Sequence, residues 1–215
     1  MPDGSPEHSV GGTESKEPRI FGRAHIRAQL REAAEELPDQ PRPRAIVLSG
    51  VAGIGKHAMC DWMASVAENK GYRVARHRHR DMDASDMEAS DPSPSRLPEP
   101  LVAWREESKT PTVAILEQME WGRATLDWVI SLLGQPNEAD QPVLVLGSVT
   151  EEVLPQRPVE RVQVAELAAN SAAEITELGA LADAAMQEFV RSRIGRDRSE
   201  VRRIVESAEG NPGYA

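Results

Sequence analysis

One stretch constrains the fold more than any other part of the chain: Ala45-Ile-Val-Leu-Ser-Gly-Val-Ala-Gly-Ile-Gly-Lys-His57. Its first four residues are apolar at every position, as in a strand buried on both faces of a sheet. Gly50, Gly53 and Gly55 follow within six positions, and Lys56 comes directly after the last of them. Met59, Trp62, Met63 and Val66 then recur at helical spacing, with Gly71 placed to stop the helix. A buried strand running through a glycine loop into a helix suits phosphate binding. The glycines let backbone N–H groups curl around phosphate oxygens, and the helix N-terminus adds about half a positive charge. Lys56 extends toward the terminal phosphates. The alternative, a plain glycine-rich turn, gives no reason for a lysine at that position in a chain with only four. The loop Gly50, Val51, Ala52, Gly53, Ile54, Gly55, Lys56 and His57 is therefore the candidate nucleotide-phosphate site.

Around this loop the apolar runs Tyr72–Ala75, Val113–Leu116 and Val143–Leu146 read as three more strands. Leu126, Val129, Ile130 and Leu133 read as a helix stopped by Gly134 and Pro136. Strands alternating with helices predict an α/β fold with a parallel sheet. Arg161–Val164 is a weaker candidate for a fifth strand. Beyond Ala165 the pattern is read as helical only, giving a core over 19–164 and a small helical subdomain over 165–215. Residues 1–18 hold three Pro, three Gly and three Ser with almost nothing apolar, and read as disordered. Residues 81–100 carry six Asp/Glu and four Pro, and read as a mobile surface loop within the core.

Composition narrows the function. The chain has 215 residues, 35 acidic and 25 basic, for a net charge of −10. That balance opposes non-specific binding to nucleic acid or anionic membranes. The longest mainly apolar stretch, Ala45–Gly55, is far short of the ~20 residues a membrane helix needs. The acidic N-terminus has no apolar core and does not read as a signal peptide. A single cysteine, Cys60, excludes a disulfide framework and fits a cytoplasmic protein. Arg outnumbers Lys 21 to 4, as a GC-rich bacterial coding sequence would give.

Four blocks in order resemble a known family. Arg19-Ile20-Phe21-Gly22-Arg23, with Leu30 beyond, is similar to its opening box, and the phosphate loop follows. Leu116-Glu117-Gln118-Met119-Glu120-Trp121 resembles its Walker B line, which usually ends Asp-Asp-Leu-His-Trp. Gly210-Asn211-Pro212 resembles the Gly-Asn-Pro box of its helical lid. The chain over 19–215 thus resembles the origin-recognition-like AAA and STAND-type P-loop ATPase modules of large bacterial regulators, such as LuxR-type ATP-binding proteins. The resemblance implies a P-loop NTPase sheet flanked by helices, followed by a small all-helical lid, binding ATP or ADP. It implies that Ile20, Phe21 and Gly22 lie beside the adenine, that Lys56 holds the β/γ-phosphates, and that Pro212 approaches the base. It puts Glu117 at the metal-binding acid, Gln118 at the second acid and Ser148 or Thr150 at the sensor. Family members continue into sensor or effector domains, so a module of a larger protein, or one subunit of an assembly, is expected. A homo-oligomer stays open.

The departures fall on catalysis. His57 stands where a Ser or Thr hydroxyl binds Mg²⁺, and an imidazole is a poor ligand for that hard ion. Glu117 shifts its carboxylate by one methylene, and a ~1 Å misplacement can cost on the order of 100-fold in rate. Gln118 cannot take up a proton. Glu120 replaces it as base only if the segment is extended, which would put both side chains on one side. Glu117 and Glu120 are the candidate catalytic carboxylates, with a solvated loop as their plainer reading. The expectation is nucleotide binding with weak Mg²⁺ dependence and weak or absent hydrolysis. An active ATPase and a non-binding interaction scaffold are the alternatives. Arg76-His77-Arg78-His79-Arg80 reads as a polar strand end neutralised by the acidic loop after it, rather than a zinc pair. The arginines at 191, 193, 196, 198, 202 and 203 read as a solvated helix face rather than a DNA contact.

Overall fold

The computed structural model describes residues 17–79, 110–135, 142–194 and 198–215. The expected disordered segment, apart from its last two residues, and the expected mobile loop 81–100 lie outside them.

Five strands form one sheet: β1 Arg44–Gly50, β2 Arg73–Arg78, β3 Thr112–Glu117, β4 Val143–Thr150 and β5 Ala173–Glu177. They lie in the order β2-β3-β4-β1-β5, and every pairing is parallel. The three central strands are buried almost throughout, which is why their sequences are continuous apolar runs. Their side chains alternate between two cores. Ile46, Leu48, Val113 and Ile115 meet α1 (Ala24–Glu36) and α2 (Lys56–Asn69) on one face. Ala45, Val47, Ala114 and Leu116 meet α3 (Arg123–Leu133) and α4 (Pro158–Ala169) on the other. A third cluster joins α5 (Asp183–Ile194) to α6 (Arg198–Ala208) through Met186, Val190, Val201 and Val205. The result is the expected α/β P-loop architecture, a parallel sheet between helices followed by a helical subdomain.

Two expectations are corrected. Arg161–Val164 is not a strand. It lies inside α4, which starts at Pro158 and buries Glu160, Gln163 and Leu167 at helical spacing. Nor is the chain helical throughout after Ala165, because β5 pairs with β1 from Ala45↔Ala173 to Ser49↔Glu177. The sheet therefore extends past the expected boundary at 164/165. β5 is an edge strand carrying Glu174 and Glu177 at exposed positions, so it lacks the apolar run that marks the central strands.

Candidate functional site: a phosphate loop at the sheet edge

The glycine loop leaves the carboxyl end of β1, which lies between β4 and β5, with Gly50 opposite Thr150. This is where open parallel sheets bind ligands. Gly50 and Gly53 have positive φ, and each is also sterically required. A Cβ on Gly50 would stand 2.8 Å from the Leu178 carbonyl, and one on Gly53 would stand 2.9 Å from Asn211 Oδ1. α2 begins at Lys56 with no side-chain cap, so its first-turn N–H groups are available to a ligand. The Lys56 ammonium is tucked under the loop, donating to the carbonyls of Gly50 (2.6 Å) and Val51 (2.8 Å). Burial pushes its pKa down, and the nearby carboxylates Glu120, Glu152 and Glu151 push it back up. The Ala52 N–H donates to Glu152 Oε2 at 2.8 Å.

The chain's last turn closes onto this loop. Asn211 Nδ2 donates to the Ala52 carbonyl at 2.8 Å, and Asn211 Oδ1 accepts from Gly213 N–H at 2.9 Å. Pro212 sits over Gly55. Between them and the opening segment lies a cavity of about 490 Å³, lined by Ile20, Phe21, Leu181, Phe189, Pro212 and residues 52–59. Phe21 meets Phe189 edge to face at 5.6 Å, while Arg19 and Arg193 stack on the two rings. An apolar, aromatic end beside a loop of N–H donors suits a base joined to a polyphosphate. Gly22 does not line the cavity; it is backed against Leu181 and Ala185. Gly50 and Val51 contribute only through the carbonyls that hold Lys56.

Sequence reasoning missed four residues here. Arg23, in a left-handed conformation at the start of α1, donates to the Ile54 carbonyl at 3.2 Å and lines the cavity. Arg78 lines it too and donates to Gln118 Oε1 at 3.3 Å. Arg76 and Asp61 complete the network around Glu117. The polar alternation 76–80 was the available signal.

Glu117 is 2% exposed and fully engaged. Its Oε1 accepts from Arg76 Nε at 3.0 Å and from Arg76 NH2 at 2.7 Å, and its Oε2 is in short contact with His57 Nδ1. Arg76 also donates to Asp61 Oδ1 at 2.5 Å. Among the described residues Arg76 pairs with Glu117 and Asp61, and the acidic loop expected to neutralise that strand end lies outside them. Residues 57 and 117, which would hold Mg²⁺ in a phosphate-loop site, are bonded to each other. With no hydroxyl and no free carboxylate oxygen, this pair does not fit the ion.

The segment after Glu117 also differs from expectation. Gln118 is left-handed (φ 57°), and Met119–Trp121 form a 3₁₀ turn. The turn breaks the extended geometry that would have put Glu120 beside Gln118. Glu120 is fully buried, outside the cavity lining, and neither carboxylate oxygen finds a well-formed hydrogen bond. Burial raises its pKa. Gln118 N–H is pinned by Ser148 Oγ at 3.1 Å, and Ser148 and Thr150 both line the cavity. Among the described residues no group of His, Cys, Asp and Glu is arranged to hold a metal ion. No helix among them is long and apolar enough to cross a membrane.

No protein-family model and no curated protein matches this sequence. Solved structures do. The chain is similar to a variant of Thermotoga maritima RuvB at 13% identity and TM-score 0.57, over 90% of this chain and 59% of that one. It is similar to a DNA replication initiation factor at 16% identity and TM-score 0.55, over 89% and 58%. It is also similar to a chain of the E. coli MS115-1 HORMA:CdnC:Trip13 complex at 14% identity and TM-score 0.51, over 87% and 74%. The likeness is one of fold, a parallel α/β P-loop sheet followed by a helical subdomain. The chain spans about three fifths of the RuvB chains it resembles.

Proposed function

We propose that this chain is an ATP- or ADP-binding switch module of a larger bacterial signalling or transcriptional regulator, with weak or absent hydrolysis. The observation that carries the reading is the direct contact between phosphate loop and lid. Asn211 and Gly213 rest on Ala52 and Gly53, so anything that reshapes the loop displaces the last turn of the chain. A ligand shifts such an equilibrium only through differential contacts with its two states, and a ligand seated on the loop would make them at this seam. The cavity offers an aromatic base end, the Lys56 ammonium and N–H donors at a helix start, and several charge-assisted contacts worth roughly 1.5–3 kcal/mol each act together on a polyphosphate. Hydrolysis needs a held metal and an oriented water. Neither is supported by the engaged Glu117, the amide at Gln118 or the buried Glu120.

The listener that a switch needs is a protein partner or further domains of the same polypeptide. The larger size of the RuvB chains is consistent with that. The STAND-type resemblance and a homo-oligomer belong to the same proposal; a membrane or nucleic-acid partner for this module does not. Calorimetry with ATP and ADP, paired with steady-state phosphate release, tests it. Binding without multiple turnover is expected, and Lys56→Ala should lose the binding. Robust turnover would make the protein an active ATPase. No binding at millimolar nucleotide would make it an interaction scaffold.

A further inference from the structure

The charge network on the phosphate side of the cavity is complete as it stands. Glu117 has one oxygen on Arg76 and the other on His57. Asp61 has one oxygen on Arg76 at 2.5 Å and the other 3.4 Å from His57 Nε2. Two carboxylates are thus engaged by a permanent guanidinium and an imidazole. Arg76 is held from β2 and Glu117 from the neighbouring β3, while His57 and Asp61 share one face of α2, one turn apart. A divalent cation entering here would have to break the Arg76–Glu117 pair and then sit beside a cation that cannot deprotonate. Lys56, Arg23 and Arg78 line the same cavity.

We propose that Arg76 stands in for the divalent ion, neutralising the buried Glu117 so that this site takes its nucleoside polyphosphate free of metal. Arg76 acts here as a positioning and charge-balancing residue. In an ordinary site the ion cancels both the acid and part of the phosphate charge. Here the acid is cancelled internally, and the basic lining meets the phosphates directly. Mg²⁺ would then compete for the nucleotide in solution and give no support to the bound one. This inference rests on the nucleotide-binding reading above and fixes the form of the ligand.

The test is titration calorimetry of the full chain with ADP and with ATP, in EDTA and in excess MgCl₂. The wild-type dissociation constant in EDTA should be equal to or lower than that in Mg²⁺. Arg76→Met should weaken binding in EDTA by about tenfold, because the Glu117 charge it cancels is then left facing the phosphates. In that variant Mg²⁺ should recover part of the loss, because Glu117 is released. A purely structural role for Arg76 would weaken both conditions alike and overturn the proposal. If Arg76→Met does not fold, the wild-type comparison decides alone. Wild-type binding that needs Mg²⁺ by tenfold or more overturns this inference and leaves the nucleotide reading intact. Absence of binding in both conditions removes that reading, and this one with it.

Discussion

Replacing Gly213 by Ala should unlatch the lid from the phosphate loop. A Cβ at 213 would lie 2.6 Å from Gly53 Cα, 3.1 Å from the Gly53 carbonyl and 3.2 Å from Asn211 Oδ1. Two of those three atoms are backbone of the phosphate loop, so no rotamer change relieves the clash. Overpacking of this kind costs typically 1–3 kcal/mol when it must be absorbed by a core. Here the turn is at the surface and Tyr214 is 66% exposed, so the turn can lift off the loop. The loss is then capped by what docking contributes. That is one hydrogen bond from Asn211 to Ala52, net about 0.5–1.5 kcal/mol, and the re-exposure of Asn211 and the underside of Pro212. About 1–2 kcal/mol in total follows, or a fall in Tm of roughly 2–8 °C for a chain of this size. Nucleotide affinity should fall as well, by about tenfold for each 1.4 kcal/mol of lid closure lost. Gly179→Ala is the control, because a Cβ there meets nothing within 4 Å. Scanning calorimetry and nucleotide titration on both variants provide the readout. A Gly213→Ala protein matching Gly179→Ala in Tm and in affinity would show that the seam couples nothing.

Three further outcomes follow from the buried polar groups. Lys56→Ala should abolish nucleotide binding in calorimetry while circular dichroism shows a folded protein, since the ammonium's present partners are two loop carbonyls. Glu120→Gln should raise stability at neutral pH. Burial holds that carboxyl's pKa above its usual 4.5, so the native state binds the proton more tightly than the unfolded chain and the wild type loses stability as pH rises through that window. The difference from Glu120→Gln should vanish in acid, and denaturant melts at several pH values check it; equal stabilities throughout would mean that the carboxylate is solvated. His79 works the other way. Burial lowers its pKa from 6.5 to about 4, so its contribution is complete above pH 6.5 and is lost as pH falls toward 4. The full shift corresponds to about 3 kcal/mol at most, and a His79→Leu variant should flatten the stability profile between those limits.

How legible each part of the site was follows from where its partners lie in the sequence. The phosphate loop could be read because its determinants are local: glycines forced by close contacts at Gly50 and Gly53, a lysine, and a strand and helix on either side. The central strands could be read because burial on both faces leaves only apolar residues. β5 could not, since an edge strand needs only alternate burial and Glu174 and Glu177 erase even that. Arg161–Val164 misled because Val162 and Val164 alternate with polar residues as a strand would, while the helix buries Glu160, Gln163 and Leu167. The Arg76–Glu117 pair is a contact across 41 residues, and no local pattern encodes it. Its signal was the alternation 76–79. Strand geometry puts Arg76 and Arg78 on one face and His77 and His79 on the other. Parallel pairing sets Arg78 opposite Glu117, so the arginine face meets Glu117 and Gln118 while His79 packs against Gly122. β2 is an edge strand and needs no apolar run, but solvent alone does not explain why its two exposed arginines converge on the acid strand. Open parallel sheets bind ligands outside the carboxyl ends of their strands, so a charged strand end there is better read as part of the site than as decoration. Position 57 completes the case: the residue that departs from the phosphate-loop pattern is the one that bonds the acid Arg76 holds. The two changes are explained by a single network, and neither makes sense without the other.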